Sequence, residues 1–553
     1  MAEFEENDAG RVCQISMLGS GRDLSGDPCG RKIHRAPQSV DAEPVCLMHS
    51  KDPAKNAEEF HKEIERVISA AELANSSPDF TEFVFPSCDF RSRKFARGCT
   101  FIQTTFTGRA GFASALFGND VFFYEAKFLG GADFSHARFG GIGMFMRSEF
   151  RAESLFTSAS FEGAATFMSA RFEQKADFSH TRFKGEARFG GARFNRNAIF
   201  LGARFDQSVE FRGARFARLA KFHDAEFQEA LEFHETRFRH DLADSPGLDF
   251  SSVDLKSPEK VKFYRTDLGQ ALIFQTDVSR VNFALVEWRD RGRVRNYRIR
   301  RAVLRVRLAL EFWAKASFSG IRNELMRAKR PRRASRLCLF EEDVSFLGEY
   351  HLDLFTGPYG QNYGLIAEIY RQLKRNYDSK GDYWTAGHWH YGEMEMKRRN
   401  SRWPWLPLRQ LSRRVSLVAL YKYASDYGES YVMPLLWLVF FVSAFAFVYP
   451  IPGLEFNSPT SGTPDWLGYL DWSTFFRAHA TEQPQWLWWN LSSFWSMILH
   501  SLMTSLSVAG FQRELRYAPS YPWGRMLALL ELLLTTTLGG LFLLAIRRQF
   551  KRS

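Results

Sequence analysis

From Phe90 to Phe238 a phenylalanine recurs at steps of five and six residues in strict alternation: Phe134, Phe139, Phe145, Phe150, Phe156, Phe161, Phe167, Phe172, and so on to Phe227, Phe233 and Phe238. Two residues before almost every one stands a small residue, as at Ala132, Ala137, Gly143, Ser148, Ser154, Ala159, Ala165, Ala170 and Ala176. The period is therefore eleven residues. Such a fixed period marks a quasi-one-dimensional array, whose units stack because none can bury a face alone.

An eleven-residue period also suits a right-handed helical supercoil. On a helix, however, a step of five turns about 140° and splits the phenylalanines into two stripes, on a glycine-dotted chain that makes a poor helix. In an extended chain, residues i and i−2 point to one side. The small residue and the phenylalanine then line one interior, and positions i−1, i+1 and i+2 face water.

The unit is similar to that of the pentapeptide-repeat proteins, A(D/N)LXX, with Phe in place of Leu and sides alternating between five and six residues. The resemblance covers residues 80–288 and implies a right-handed quadrilateral β-helix, four short sides to a coil of 22 residues. The strict stretch makes about seven coils, roughly 33 Å long at about 4.7 Å per strand layer. Looser units follow at Val253-Asp254-Leu255, Thr266-Asp267-Leu268, Thr276-Asp277-Val278 and Val281-Asn282-Phe283, and the last coil ends near Trp288. Some members mimic duplex DNA and bind topoisomerase, which requires an acidic surface. This chain has a net charge of +12 and a slightly basic solenoid, so that function is not expected here.

Residues 1–50 are polar, yet contain Cys13, Cys29, His34, Cys46 and His49. Cys46 and His49 stand three apart, a spacing that suits one tetrahedral zinc. A metal would supply what so short a segment cannot gain by burial. The expected ligands are Cys13, Cys29, Cys46 and His49, with His34 as substitute; unconnected cysteines in a disordered tail are the alternative. Cys88 and Cys99 take the small inward slot before Phe90 and Phe101 and read as core. Residues 51–79 hold an amphipathic helix from Asp52 to Leu73, with Phe60, Ile64, Val67 and Ile68 on one face, expected to cover the open end of the solenoid.

Side chains 22 apart stack. The residue before each Phe thus forms columns: Glu149, Arg171, Arg193, Arg215 and Arg237 on one face, and Arg138, Ser160, Arg182, Arg204 and Glu226 on the opposite one. Stacked like charges repel unless they are solvated or an acidic partner sits on them. The columns are either a solvated face or a surface for an acidic protein.

Residues 289–361 are a basic linker, rich in arginine and lysine as far as Arg336, and suited more to anionic lipid or inter-domain contact than to nucleic acid. Residues 362–425 begin with two helices joined at Gly381-Asp382, resembling a tetratricopeptide-like hairpin; the string AEIYRQLKRNY…GDY…GEMEMKRR is similar to one found after the repeats in bacterial membrane pentapeptide-repeat proteins. On a helix His388 and His390 diverge by about 200°, so packing outweighs a metal there. Among fingerprints of catalysis there is no hydrolase elbow, P-loop, HExxH or dinucleotide motif, and the expectation is a protein without enzymatic activity.

Residues 426–553 form the membrane end. Tyr431 to Pro450 is an uncharged stretch of spanning length, and Trp523 to Ile546 is a second, interrupted only by Glu531 and followed by Arg547, Arg548, Lys551 and Arg552. Basic residues before the first span and after the second place both termini in the cytoplasm. Between them, the stretch from Trp486 to Phe511 is expected as a re-entrant helix and loop, with Ser493, Ser496, His500, Thr504 and Ser507 on one face. Span, re-entrant helix and span resemble two-transmembrane ion channels, but the filter position reads Leu506-Ser507-Val508-Ala509-Gly510-Phe511 and is not intact. Glu531 and Thr535 complete the pore-lining candidates. The resulting expectation is a multi-pass protein of the inner membrane, homo-oligomeric, whose cytosolic solenoid controls a degenerate pore. The alternative is a non-conducting, membrane-tethered interaction scaffold.

Overall fold

The computed structural model describes residues 13, 29, 31–33, 45–238, 245–293, 334–342, 356–357, 360–361, 363–400, 416–451, 454–456, 469–470, 486–510, 517–519 and 521–552. The chain divides into two compact units, Met1–Lys380 and Gly381–Ser553. The division falls between the two helices of the expected hairpin. His34, most of the basic linker and the aromatic and basic residues just before the first apolar helix lie outside the described residues.

The first unit is built on a β-solenoid of about nine turns, whose short strands stack into four parallel sheets of 8, 9, 8 and 9 strands. We term these faces A to D in the order the chain meets them, from Val84, Cys88, Lys94 and Cys99. Within the strict stretch partners stand 22 residues apart, as Arg171↔Arg193 on face A and Arg182↔Arg204 on face C. Amides donate from coil to coil, for instance Phe156 N to the Asp177 carbonyl at 2.7 Å. Each residue two after Phe90, Phe101 and their eleven-residue successors adopts positive φ, from Ser92 and Gln103 to Asp224. That left-handed corner takes the place of one residue, which is why every second step is five rather than six.

Inside, the phenylalanines form stacked columns: Phe145 and Phe167 lie 4.8 Å apart between centroids at 4°. Neighbouring columns meet edge to face, as Phe145 and Phe156 at 5.4 Å and 89°. Burying one such ring is worth roughly 1.5–3 kcal/mol, and each well-set aromatic pair adds about 0.5–1.5 kcal/mol. The small residue two before leaves the room: Ala165, Ala170 and Ala176 are fully buried. Cys88 and Cys99 are free thiols on faces B and D.

Both ends of the solenoid are covered by the chain itself. At the amino end, helix α1 (Ala57–Leu73) buries Phe60, Ile64, Ile68 and Ala71; Phe60 sets its edge on Phe85 at 5.2 Å, and Glu65 accepts two bonds from Arg93. The helix starts at Ala57 rather than Asp52, because Asn56 caps it by accepting from the Glu58 and Glu59 amides. Asp52 instead takes the Ala54 amide in a preceding turn.

At the other end, helix α2 (Tyr363–Ser379) lends side chains to the unpaired backbone of the last coil. Asn376 donates to the Val278 and Val281 carbonyls at 2.9 and 2.7 Å, and Gln372 accepts from the Val278 amide. A two-stranded antiparallel ribbon, Arg289–Arg293 with Ala334–Cys338, leads into Glu341, which accepts from the Ile273 amide at 2.6 Å.

The second unit contains helices α3 (Tyr383–Asn400), α4 (Leu417–Ser425), α5 (Val432–Val448), α6 (Trp486–Ala509) and α7 (Pro522–Arg552). Asp382 caps α3 through the Thr385 amide. Phe445, Tyr449 and Met497 form a small core with Phe441, Leu527, Ala528 and Leu534 packed on it. Among the described residues one helix, Pro522–Lys551, is long and apolar enough to cross a membrane; Val432–Val448 is a shorter apolar helix. The segment expected to be re-entrant is a continuous helix of 24 residues, about 36 Å at 1.5 Å per residue, the length of a full crossing.

Candidate metal centre and arginine columns

Four ligand atoms converge at the amino end of the solenoid. The Sγ atoms of Cys13, Cys29 and Cys46 and a ring nitrogen of His49 all lie within 4.8 Å of one another. Cys29 Sγ is 3.7 Å from Cys46 Sγ, and His49 Nδ1 is 3.2 Å from Cys46 Sγ and 3.5 Å from Cys13 Sγ. A tetrahedral ion with Zn–S of about 2.3 Å and Zn–N of about 2.0–2.1 Å needs ligand edges of roughly 3.8 and 3.6 Å. The three edges just given lie within about 0.4 Å of those values. A disulfide, at about 2.05 Å, does not fit them.

The surroundings also fit. His49 Nε2 lies 3.2 Å from the Thr81 carbonyl, so that nitrogen carries the proton and Nδ1 is left as the ligand. The imidazole sets its edge on Phe83 at 5.1 Å. Arg31 donates to Cys29 Sγ at 3.2 Å. The hydrogen bond from Cys46, with Arg31 adding to it against burial, pulls the Cys29 thiol far below the ordinary range; that bond and burial push Cys46 up. The Cys3His set could therefore bind a metal ion.

No spacing or motif pointed to Arg31, Thr81 or Lys55. Lys55 is buried, donates to the carbonyls of Leu47, Ser50 and Val84, and lies 4.5 Å over the Phe60 ring. Its neighbour Asn56, a recognisable cap, is the only signal nearby.

The two arginine columns differ in their surroundings. On face C, Arg182 and Arg204 both reach Asp206, at 3.0 and 2.8 Å, and Arg204 also pairs with Glu226 at 3.2 Å. On face A, Arg171, Arg193, Arg215 and Arg237 are exposed, and none forms an ion pair with a described residue. The nearby acids are engaged: Glu125 by Arg147, Glu149 by Arg151, and Glu173 by the Asn195 amide. A groove of about 950 Å³ runs along this face from His49 and Lys51 to Arg171 and Arg193.

Of the pore candidates, Ser493 and Ser496 have side chains outside the described residues. His500 and Ser507 are half-buried, and Thr504, Glu531 and Thr535 are buried. Thr504 donates to the His500 carbonyl and Thr535 to that of Glu531, each one turn back along its own helix. Glu531 accepts from Tyr449 Oη at 2.5 Å and from Ser505, which also reaches the Val442 carbonyl at 2.9 Å.

Comparison with curated proteins finds no match, and comparison with solved structures finds none. Residues 156–203, in the middle of the strict repeat, match the family model described as pentapeptide repeats, nine copies. With the four stacked sheets, that match supports reading the β-solenoid within the first unit as one of pentapeptide repeats.

Proposed function

We propose that this protein is a non-enzymatic interaction scaffold tethered to a membrane by its carboxyl-terminal helices. The observation that carries this reading is the use made of Glu531. Both of its carboxylate oxygens are taken by Tyr449 and Ser505 within one chain. A polar group engaged in this way, with each oxygen turned to a neighbouring helix, fastens helices together in an apolar surrounding. The hydroxyls of Thr504 and Thr535 are likewise satisfied along their own helices.

The tether is supported by Pro522–Lys551, with Arg547, Arg548, Lys551 and Arg552 at its end. By the positive-inside rule that end is cytoplasmic; with α5 and α7 as the two spans and α6 packed between them without crossing, the solenoid lies on the same side. The solenoid's right-handed, quadrilateral coil is carried over from the family resemblance. With both ends covered by the chain itself, its lateral faces are what it offers to partners. Fractionation of cells expressing the full chain tests the tether: it stays in the membrane pellet after an alkaline wash, and release into the soluble fraction would overturn it. Control of a pore, homo-oligomeric, is the competing reading, supported by the shared face of His500, Thr504 and Ser507.

The metal we assign to Cys13, Cys29, Cys46 and His49 is zinc in a structural role. Four protein ligands close the coordination sphere, as structural sites require. Elemental analysis of the full chain in detergent should find about one zinc per chain, lost in Cys46→Ser. A chain free of metal, or holding as much in the variant, would remove the assignment.

A further inference from the structure

We propose that the groove on face A receives an acidic α-helix of a partner protein, held by Arg171 and Arg193, which line the groove, and by Arg215 on the next rung beyond it. This rests on the reading of the solenoid as an interaction scaffold and names the chemistry of its partner.

Three observations lead there. The first is charge. Adjacent rungs lie about 4.7–4.9 Å apart, so three guanidinium groups repel one another, and none is in an ion pair with a described acid; Glu149, on the rung before Arg171, is held by Arg151. Face C shows that the same fold can neutralise such a column, since Asp206 holds both Arg182 and Arg204. Face A does not use that solution.

The second is room. The corner beside face A carries Glu125 and Arg147, but where the arginines accumulate it continues with Ser169, Gly191 and Gly213. The two glycines hold φ of +66° and +65°. A Cβ on Gly213 would meet nothing within 4 Å, and one on Gly191 only Ser169, at 3.4 Å. Bare backbone thus forms a shelf alongside the arginine column.

The third is spacing. Rungs fall at about 0, 4.8 and 9.6 Å. Carboxylates at i, i+3 and i+7 of a helix fall at about 0, 4.5 and 10.5 Å on one side, within the reach of an arginine side chain. An extended strand presents like-facing residues every 6.6–6.8 Å or so and is nearly 4 Å out of step by the third rung. Single-stranded nucleic acid would want aromatic platforms, and no Phe, Tyr or Trp lines the groove. Arg237 continues the column by one rung.

The test uses the full chain in detergent and a synthetic helical peptide with Glu at positions i, i+3 and i+7, labelled for fluorescence anisotropy. Replacing Arg171, Arg193 and Arg215 together by Gln should weaken binding by about threefold to a hundredfold, the sum expected of three exposed pairs. The face C variant Arg182→Gln/Arg204→Gln should leave it unchanged. A peptide of the same composition with its Glu residues spread around the helix should bind at least about tenfold more weakly. The proposal is overturned if both sets of variants weaken binding equally, if the scrambled peptide binds as well, or if oligo-thymidine binds more tightly than the peptide. None of those outcomes touches the tether, which is read separately in the membrane pellet.

Discussion

Lys55 illustrates how a single side chain can hold a boundary. Its ammonium replaces water for three buried carbonyls, of Leu47, Ser50 and Val84, and lies over Phe60. Lys55→Met keeps the volume but strands those acceptors, at about 3 kcal/mol or more. Hydrogen exchange should then quicken at the Val84 and Phe85 amides while coils around Phe167 keep their protection; unchanged protection at Val84 would contradict this account. Glu341 does similar work at the far end, with a pH signature. Burial raises its carboxyl from the ordinary 4.5 to about 7, against the opposing bond from the Ile273 amide. Between those two values the folded state keeps a proton that the unfolded chain has released. Stability is therefore full below about pH 4.5 and is lost as pH rises through 7, by about 3 kcal/mol. Protection of the Ile273 amide, corrected for intrinsic rate, should be greater at pH 5 than at pH 8, and Glu341→Gln should flatten the difference.

A coil is the smallest unit in which the phenylalanine columns can be judged. Phe167 stacks between Phe145 and Phe189, at 4.8 and 5.0 Å, and takes the edges of Phe156 and Phe178 at 5.4 Å. Phe167→Ala should cost about 3–5 kcal/mol, whereas Phe167→Leu, which restores the parent repeat, should cost about 1–2 kcal/mol. Urea midpoints of the full chain in detergent distinguish the two, and equal losses would mean that ring stacking contributes little. This level was also the most legible in the sequence. A period that never slips fixes register, so the 22-residue pairing of Arg171 with Arg193 could be read directly. The Cys46–His49 spacing likewise pointed to the cluster. Hidden from periodicity were contacts between distant, aperiodic segments: Asn376 with Val278, Arg31 with Cys29, and the reach of Asp206 across a rung to Arg182. Which arginines are neutralised depends on side-chain direction, which spacing does not encode.

For the whole molecule, the question is whether its carboxyl-terminal helices conduct or only fasten to one another. Polar residues within apolar helices serve either a water-filled path or the packing of helices. The two uses differ in where the polar atoms find partners. Glu531 finds Tyr449 on the residue after α5 and Ser505 on α6, and Phe445, Tyr449 and Met497 close an apolar core beside it. Three helices are thereby fastened through one carboxylate. Removing either partner should act on the same contact, so Tyr449→Phe and Glu531→Gln should each lower the stability of the purified protein in detergent by about 1–3 kcal/mol, and the double variant by less than the sum. Full chain reconstituted in a planar bilayer should be silent in both the parent and Glu531→Gln. Discrete currents altered by Thr504→Ala or Glu531→Gln would instead establish the pore, with the solenoid as its control. Silence together with coupled losses of stability would leave the carboxylate as a fastener and the solenoid's faces as the functional surface of the protein.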